Sequence, residues 1–170
     1  MDTFFEQIIS VKKTGKAVAA LIGIWLAAFI ICFFLFFTGF FGVLTFLLIA
    51  GVIYGAFKLS CLLNVEYEYI VTNGTMDIDK ITNKSSRKRV LSLELQTVSR
   101  IERYKPALLN SADSKDVIIA CNADDAGAYL MVASAEGKGA KYLVFAPDER
   151  LRGAIVKFVP VFVANSAFKD

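Results

Sequence analysis

The sequence contains no histidine, only three cysteines and three prolines, and no charged side chain in residues 17–57. The lack of histidine removes the commonest general base and the commonest metal ligand. The uncharged stretch excludes an ordinary soluble enzyme and a disordered tail, since both carry charges throughout their length. The net charge is only +3, which argues against a nucleic-acid module built on a basic face. The 170 residues suffice for about one domain.

The cysteines, Cys32, Cys61 and Cys121, form no CxxC pair and have no histidine near them. Free thiols in apolar segments behave as small hydrophobic side chains, so we interpret all three as structural. A reactive thiol or an acylated Cys61 is the alternative. Unpaired cysteines suit a reducing cytoplasm.

The uncharged stretch is too long for one membrane span. A single helix over residues 17–57 would measure about 60 Å, twice the thickness of a bilayer core. We therefore predict a transmembrane helical hairpin within residues 17–60, with spans at 17–37 and 41–57. Glycine breaks the helix in the connecting Thr38-Gly39-Phe40. A re-entrant hairpin that does not cross is the alternative, because the second arm is short.

Basic residues lie on the flanks of this hairpin and not in its turn. Lys12, Lys13 and Lys16 precede the hairpin and Lys58 follows it. The positive-inside bias therefore predicts a two-span protein of the cell membrane with both termini in the cytoplasm. Gly51 and Gly55 form a GxxxG motif, which we interpret as packing within the hairpin, with a dimer seam as the alternative.

The first residues carry apolar side chains at near-helical spacing: Phe4, Phe5, Ile8 and Ile9. This pattern predicts an interfacial helix over residues 1–16, lying along the membrane. A frayed end of the first span is the alternative.

From residue 64 onwards the pattern changes to short β-type runs separated by turns. Asn73-Gly74 is the strongest hairpin signal among them. We predict a cytoplasmic domain over residues 64–170 with a C-terminal helix at about 147–159, which opens with Pro147 and carries an apolar stripe. The seven predicted strands cover residues 65–71, 75–81, 87–93, 97–104, 116–121, 128–134 and 140–146.

Four strands, three strands and a helix are the element order of a pleckstrin-homology-like (PH-like) domain. Residues 69–78 (YIVTNGTMDI) and 89–98 (RVLSLELQTV) resemble the bacterial PH-like domains that follow transmembrane hairpins in small membrane proteins of unknown function. The resemblance implies an α+β membrane protein: a helical hairpin followed by a seven-stranded antiparallel PH-like barrel or sandwich, capped by the C-terminal helix. It implies no active site.

The chain departs from lipid-binding PH domains at their first hairpin loop. In those domains the loop is long and basic and holds the phosphoinositide head group, whereas here it is Asn73-Gly74 with Asp77 and Asp79 nearby. Any lipid contact is therefore expected to be diffuse, salt-sensitive and located in the next loop. We interpret the acidic residues on this first hairpin (Glu66, Glu68, Asp77 and Asp79) as a solvated face or a docking surface for a basic partner.

A basic segment follows that hairpin, and it provides the candidate contact residues. Its members that we assign to a membrane surface or a partner are Lys84, Arg87, Lys88, Arg89, Arg100 and Arg103. Basic residues close to an anionic leaflet are attracted to it, whereas charges on a strand edge also serve merely to keep it solvated. A solvated edge, membrane lipid and a protein partner therefore all remain open.

No arrangement of a nucleophile with a base or of metal ligands stands out, so we expect no enzyme, no cofactor, no catalytic residue and no metal. We predict a non-catalytic, membrane-tethered adaptor or assembly module that engages membrane lipid, a protein partner or a second copy of itself, and not nucleic acid. A diffuse reader of anionic lipid through residues 84–89 is the first alternative. A small transporter or channel subunit is the second, disfavoured because no ionisable residue lies within the spans.

Overall fold

The computed structural model describes residues 4–39, 42–109, 115–122, 125–135 and 139–168. The chain divides into two compact units. The helical unit comprises residues 12–65 and 82–86, and the β unit comprises residues 1–11, 66–81 and 87–170.

The helical unit contains two long apolar helices, α1 (Gly15–Thr38) and α2 (Leu44–Cys61). The hydroxyl of Thr14 caps α1 by accepting a hydrogen bond from Ala17 N at 3.3 Å, and Gly39 ends it with a φ of 55°. Both helices are long and apolar enough to cross a membrane. The predicted start of the second span, Phe41, lies outside the described residues.

The two helices pack through small side chains: Ala28 on α1 and Thr45 and Ala56 on α2 are the buried ones. A Cβ added at Gly51 or Gly55 would meet nothing within 4 Å. The prediction that these glycines pack within the hairpin is therefore wrong. The reason is periodicity, because Gly51 lies about 120° around the helix from Thr45.

The β unit begins with a strand, β1 (Phe4–Ser10), where the sequence pattern predicted an interfacial helix. β1 pairs antiparallel with β2 (Val65–Thr72), from Phe4 opposite Thr72 to Ser10 opposite Glu66. The helix prediction is wrong for these residues because a spacing of four fits both the helical period and the two-residue period of a strand. Phe5 and Ile9 face the core, while Phe4 and Ile8 are exposed.

The presence of β1 changes both the predicted topology and the predicted number of strands. The helical hairpin does not precede the β domain but is inserted between two paired strands, β1 and β2. The described residues form eight strands in two sheets of four, and not the predicted seven-stranded barrel.

The first sheet has the order β1-β2-β3-β4, with β3 at Thr75–Thr82 and β4 at Ser86–Glu94. Asn73 and Gly74 connect β2 to β3 with φ values of 47° and 91°, as the hairpin signal predicted. Gly74 is required twice: its φ is positive, and a Cβ there would lie 3.3 Å from the ring of Phe158.

The second sheet has the order β5-β7-β8-β6. Its strands are β5 (Val98–Arg103), β6 (Val117–Ile119), β7 (Tyr129–Ala135) and β8 (Gly139–Phe145). β6 pairs parallel to β8. The prediction of a wholly antiparallel sheet is therefore wrong at this pair. A parallel partner requires a crossover, which the chain makes through β7. Each of the seven strands predicted from sequence coincides with one of β2–β8.

The main core draws on both sheets and on the C-terminal helices, α3 (Glu149–Val156) and α4 (Val161–Ala164). Tyr69 is at its centre: its hydroxyl donates to Ala120 O at 2.7 Å and accepts from Ala146 N at 3.3 Å. Its ring meets Phe145 edge-on at 5.9 Å. This one side chain of the first sheet therefore ties the second sheet in place.

Gln7 joins β1 to the start of α3. Its amide donates to Ala146 O at 3.1 Å and accepts from Asp148 N at 2.9 Å. Asp148 in turn caps α3 by accepting from Leu151 N at 2.7 Å. β1 is therefore an integral part of the β unit.

Candidate functional site

The structure separates the six basic residues that the sequence grouped as contact candidates. Lys84 belongs to the helical unit, whereas the three that follow it, Arg87, Lys88 and Arg89, lie on β4 of the β unit. Arg100 and Arg103 lie on β5, in the other sheet. The six residues therefore lie on three elements: the β3–β4 turn, β4 and β5.

Arg87 is held by Glu68, a carboxylate two strands away. Nη2 of Arg87 donates to Oε1 of Glu68 at 3.0 Å, and Nη1 lies 3.0 Å from Oε2. The side chain of Glu68 is fully buried, while that of Arg87 is 55% exposed. Burial, with a hydrogen bond between Glu68 and Glu6, raises the pKa of the Glu68 carboxyl, and the charge of Arg87 opposes that rise.

Arg89 is held by both aspartates of β3. Its Nη1 lies 2.8 Å from Oδ2 of Asp77, and its Nε donates to Oδ1 of Asp79 at 2.9 Å. Asp77 also accepts a hydrogen bond from the Ser92 hydroxyl at 2.5 Å. Two carboxylates therefore share one guanidinium, a geometry that arginine's fork of donors favours.

These contacts correct the interpretation of the acidic hairpin as a solvated face. Glu68 and Asp79 are buried, and three of the four acids are paired with the arginines of β4. The signal in the sequence was the short polar connection between β3 and β4, which brings an acidic strand beside a basic one.

Lys88 and Val90 are the part of β4 that these pairs leave available. β4 is the last strand of its sheet, and residues 86–90 are all exposed. Within the described part of the chain, Lys88 forms no ion pair. The free cation and the apolar Val90 side chain therefore lie along an open strand edge.

The arginines of β5 make local contacts. Nε of Arg100 lies 3.1 Å from Glu102, and Nη2 of Arg103 donates to Ala126 O at 2.9 Å. Both guanidinium groups therefore have partners within the β unit.

The charge of the molecule is distributed unequally between its units. The helical unit contains five lysines and no acidic residue, which makes it +5. Since the whole chain is +3, the β unit is −2. The basic segment that is prominent in the sequence is therefore outweighed by the acids of the unit to which most of it belongs.

Cys121 lies buried in a second, smaller apolar cluster behind β7 and β8. Burial raises the pKa of its thiol to about 11, with a smaller contribution from Asp125. The thiol is therefore protonated at neutral pH and unsuited to nucleophilic chemistry.

The family described as Bacterial PH-like domain (DUF6106) matches residues 1–165. The chain belongs to this family. The match covers β1 and both apolar helices, so the inserted hairpin is part of the PH-like family's pattern. PH-like domains often bind lipids or proteins and are generally non-catalytic. No curated protein and no solved structure matches the chain.

The PH-like fold of this chain leaves little room at the β2–β3 turn, where lipid-binding PH domains hold a head group. Gly74 packs on Phe158, and its carbonyl accepts a hydrogen bond from Leu95 N at 2.8 Å. The turn is therefore closed by packing, whereas β4 is an exposed edge strand of the same sheet.

Proposed function

We propose that this PH-like protein is a non-catalytic docking module, anchored in the cell membrane by α1 and α2, whose β unit binds a protein partner along β4. The observation that carries the proposal is the exposed edge of β4, where a sheet ends in residues that no neighbouring strand covers. An exposed edge offers unpaired backbone groups to an incoming extended segment.

The membrane anchor is supported by two independent features. Both helices have the length and apolarity of membrane spans, and most of their large apolar side chains are exposed. In addition, Ser10 and Glu66 are paired in one sheet, so the two ends of the inserted hairpin must leave from the same side of the membrane. The lysines around those ends support the cytoplasm as that side.

The chemistry of β4 defines the kind of partner. Lys88 places a positive charge on the edge, and two such edges brought together would repel each other. The partner is therefore a different chain, with an extended segment that carries acidic residues and an apolar side chain to cover Val90.

The alternative of a diffuse lipid reader built on residues 84–89 is less well supported. Arg87 and Arg89 are engaged by buried or half-buried carboxylates, and the β unit carries a net negative charge. Attraction of that unit to an anionic leaflet would be weak.

Site-specific photo-crosslinking in bacterial cells tests the proposal. A photoreactive amino acid is placed at Lys88 or Val90 of the full chain and, as a control, at the exposed Lys157 beyond α3. We expect discrete adducts from positions 88 and 90 and none from 157. An adduct that contains only a second copy of this chain, or equal adducts from all three positions, would contradict the proposal.

A further inference from the structure

The positive charge of the helical unit is concentrated near the start of α1 and the end of α2. Its charged residues are all lysines, and all five are exposed: Lys12, Lys13, Lys16, Lys58 and Lys84. The helical unit contains no acidic residue, whereas the arginines of β4 are paired with carboxylates of their own unit.

The lysines lie at one end of the hairpin because α1 and α2 are consecutive, packed helices joined by a short turn. Lys12 and Lys13 precede α1, Lys16 is in its first turn, and Lys58 is in the last turn of α2. Residues 16–38 rise about 33 Å and residues 44–58 about 21 Å, so Lys58 starts deeper and reaches the interface through its long side chain.

Lys84 is distant in sequence, and a backbone hydrogen bond brings it to the same end. Asn83 N donates to Asn64 O at 2.9 Å, just beyond the last residue of α2. Asn83 and Lys84 have φ values of 52° and 55°, so both residues of this tight β3–β4 turn adopt the left-handed backbone conformation. That conformation is strained for a lysine. Asparagine adopts such a φ more readily than lysine does, so the presence of lysine at position 84 indicates a role for its charge.

We infer that these lysines form a collar that binds anionic phospholipid head groups at the cytoplasmic leaflet. The inference rests on the proposed membrane anchor and moves lipid recognition from the β unit to the helical unit. Lysine is a point charge that suits phosphate without fixed geometry, so the collar selects for negative charge and not for one head group. The apolar helix surface beside it fixes the source of the phosphate as a lipid.

The single tryptophan, Trp25, supplies a probe in the intact chain. It is 44% exposed on α1, and residues 15–25 rise about 15 Å, which places its ring near the middle of a bilayer. The full chain is inserted into phosphatidylcholine vesicles that contain a minor fraction of lipid with brominated chains, either phosphatidylglycerol or phosphatidylcholine. Bromine quenches Trp25 fluorescence only when that lipid is next to the helix.

We expect brominated phosphatidylglycerol to be at least about twofold enriched at the helix over brominated phosphatidylcholine at low salt, with the enrichment falling towards one at high salt. The triple variant Lys13→Gln, Lys58→Gln and Lys84→Asn should abolish it, and asparagine at 84 keeps the bend of the turn. A control with the same change in charge, Lys105→Gln, Lys115→Gln and Lys157→Gln in the β unit, should retain it.

Each other result would overturn the inference. Equal quenching by the two lipids in the natural sequence would refute the collar and leave the anchor intact. An equal loss in both triple variants would show that only net charge matters. The absence of quenching by either lipid would refute the membrane anchor and the collar together.

Discussion

Glu68 is a buried carboxylate that has a cation on one side and another carboxyl group, that of Glu6, on the other. Its burial makes ionisation costly, and Arg87 offsets part of that cost. The pair therefore stabilises the first sheet only while both members are present, and it makes the stability of the β unit depend on pH.

Replacing Arg87 by alanine should destabilise the fold by about 1–2 kcal/mol at pH 7, a reduced figure because Arg87 is half-exposed. The folded-state pKa of Glu68 is already above its ordinary value of 4.5, so the ionised carboxyl costs stability as the pH rises through that window. Loss of Arg87 raises that pKa further, so the defect should shrink as the pH falls from 7 towards 5. Urea unfolding of the detergent-solubilised chain at several pH values measures both effects.

Two variants make this prediction specific. Arg87→Ala combined with Glu68→Gln should recover most of the stability at pH 7, because no buried charge is left without a partner. Arg100→Ala, which breaks the more exposed pair with Glu102, should cost less than about 0.5 kcal/mol. A loss for Arg87→Ala that is the same at pH 5 and pH 7 would contradict the role given to Glu68.

The charged residues could be identified from the sequence, but the pairs that they form could not. Glu68, Asp77, Asp79, Arg87 and Arg89 are all conspicuous in the sequence. Which of them touch depends on how three strands align, and a shift of one residue moves every side chain to the other face. The ion pairs of Arg87 and Arg89 with these carboxylates could not be predicted from the sequence for this reason.

The element that most changes the interpretation is β1. It supplies Phe5 and Ile9 to the core and bonds to the start of α3 through Gln7. A fragment that begins after the hairpin lacks this strand and leaves the edge of β2 open. The β unit should therefore be obtainable in water only if β1 is retained.

Replacing residues 11–65 by Asn-Gly should yield a soluble β unit that unfolds cooperatively, because Ser10 and Glu66 are directly opposed and a two-residue turn can join them. The fragment of residues 66–170 should be less stable by more than about 3 kcal/mol, since it loses two large apolar side chains from the core. Denaturant unfolding followed by circular dichroism measures the difference. Equal stability of the two would show that β1 is dispensable.

The elements were predictable to different degrees. Seven strands and two apolar helices could be predicted from local sequence patterns. Examples are the alternation of apolar and polar residues in β2 and the uncharged apolar run in α1. β1 could not be assigned in the same way, because its apolar residues recur every four positions and its partner lies beyond the whole hairpin. The parallel pairing of β6 likewise depends on chain topology. The three residues of this strand, Val117–Ile119, contain no sequence pattern that distinguishes parallel from antiparallel pairing.

For the molecule as a whole, the insertion of the hairpin between paired strands predicts one arrangement in the membrane, with both ends of the hairpin on the cytoplasmic side. Single cysteines at Lys13 and Asn64, with the native cysteines replaced by serine, should react with an impermeant thiol reagent only from the cytoplasmic side. A cysteine at Val43, 87% exposed at the start of α2, should react only from the opposite side. Labelling in sealed vesicles of either orientation measures this.

The same three positions distinguish the alternatives. If Val43→Cys reacts from the cytoplasmic side or from neither side, the hairpin is re-entrant and does not cross. If positions 13 and 64 react from opposite sides, the pairing of β1 with β2 cannot hold in the membrane. Two crossing helices joined by a short turn already bring the ends of the hairpin to one side, and the pairing of Ser10 with Glu66 is an independent requirement for the same arrangement.

The pairing of Ser10 with Glu66 also has a consequence for biosynthesis. β1 precedes both apolar helices in the chain and β2 follows them, so the two strands can pair only after both helices have been synthesised. A chain in which just one helix is threaded would leave β1 and β2 in different compartments, with no means of closing the sheet. We therefore expect completion of the β unit to depend on correct insertion, and chains with one threaded helix to leave the sheet unfinished and open to proteolysis.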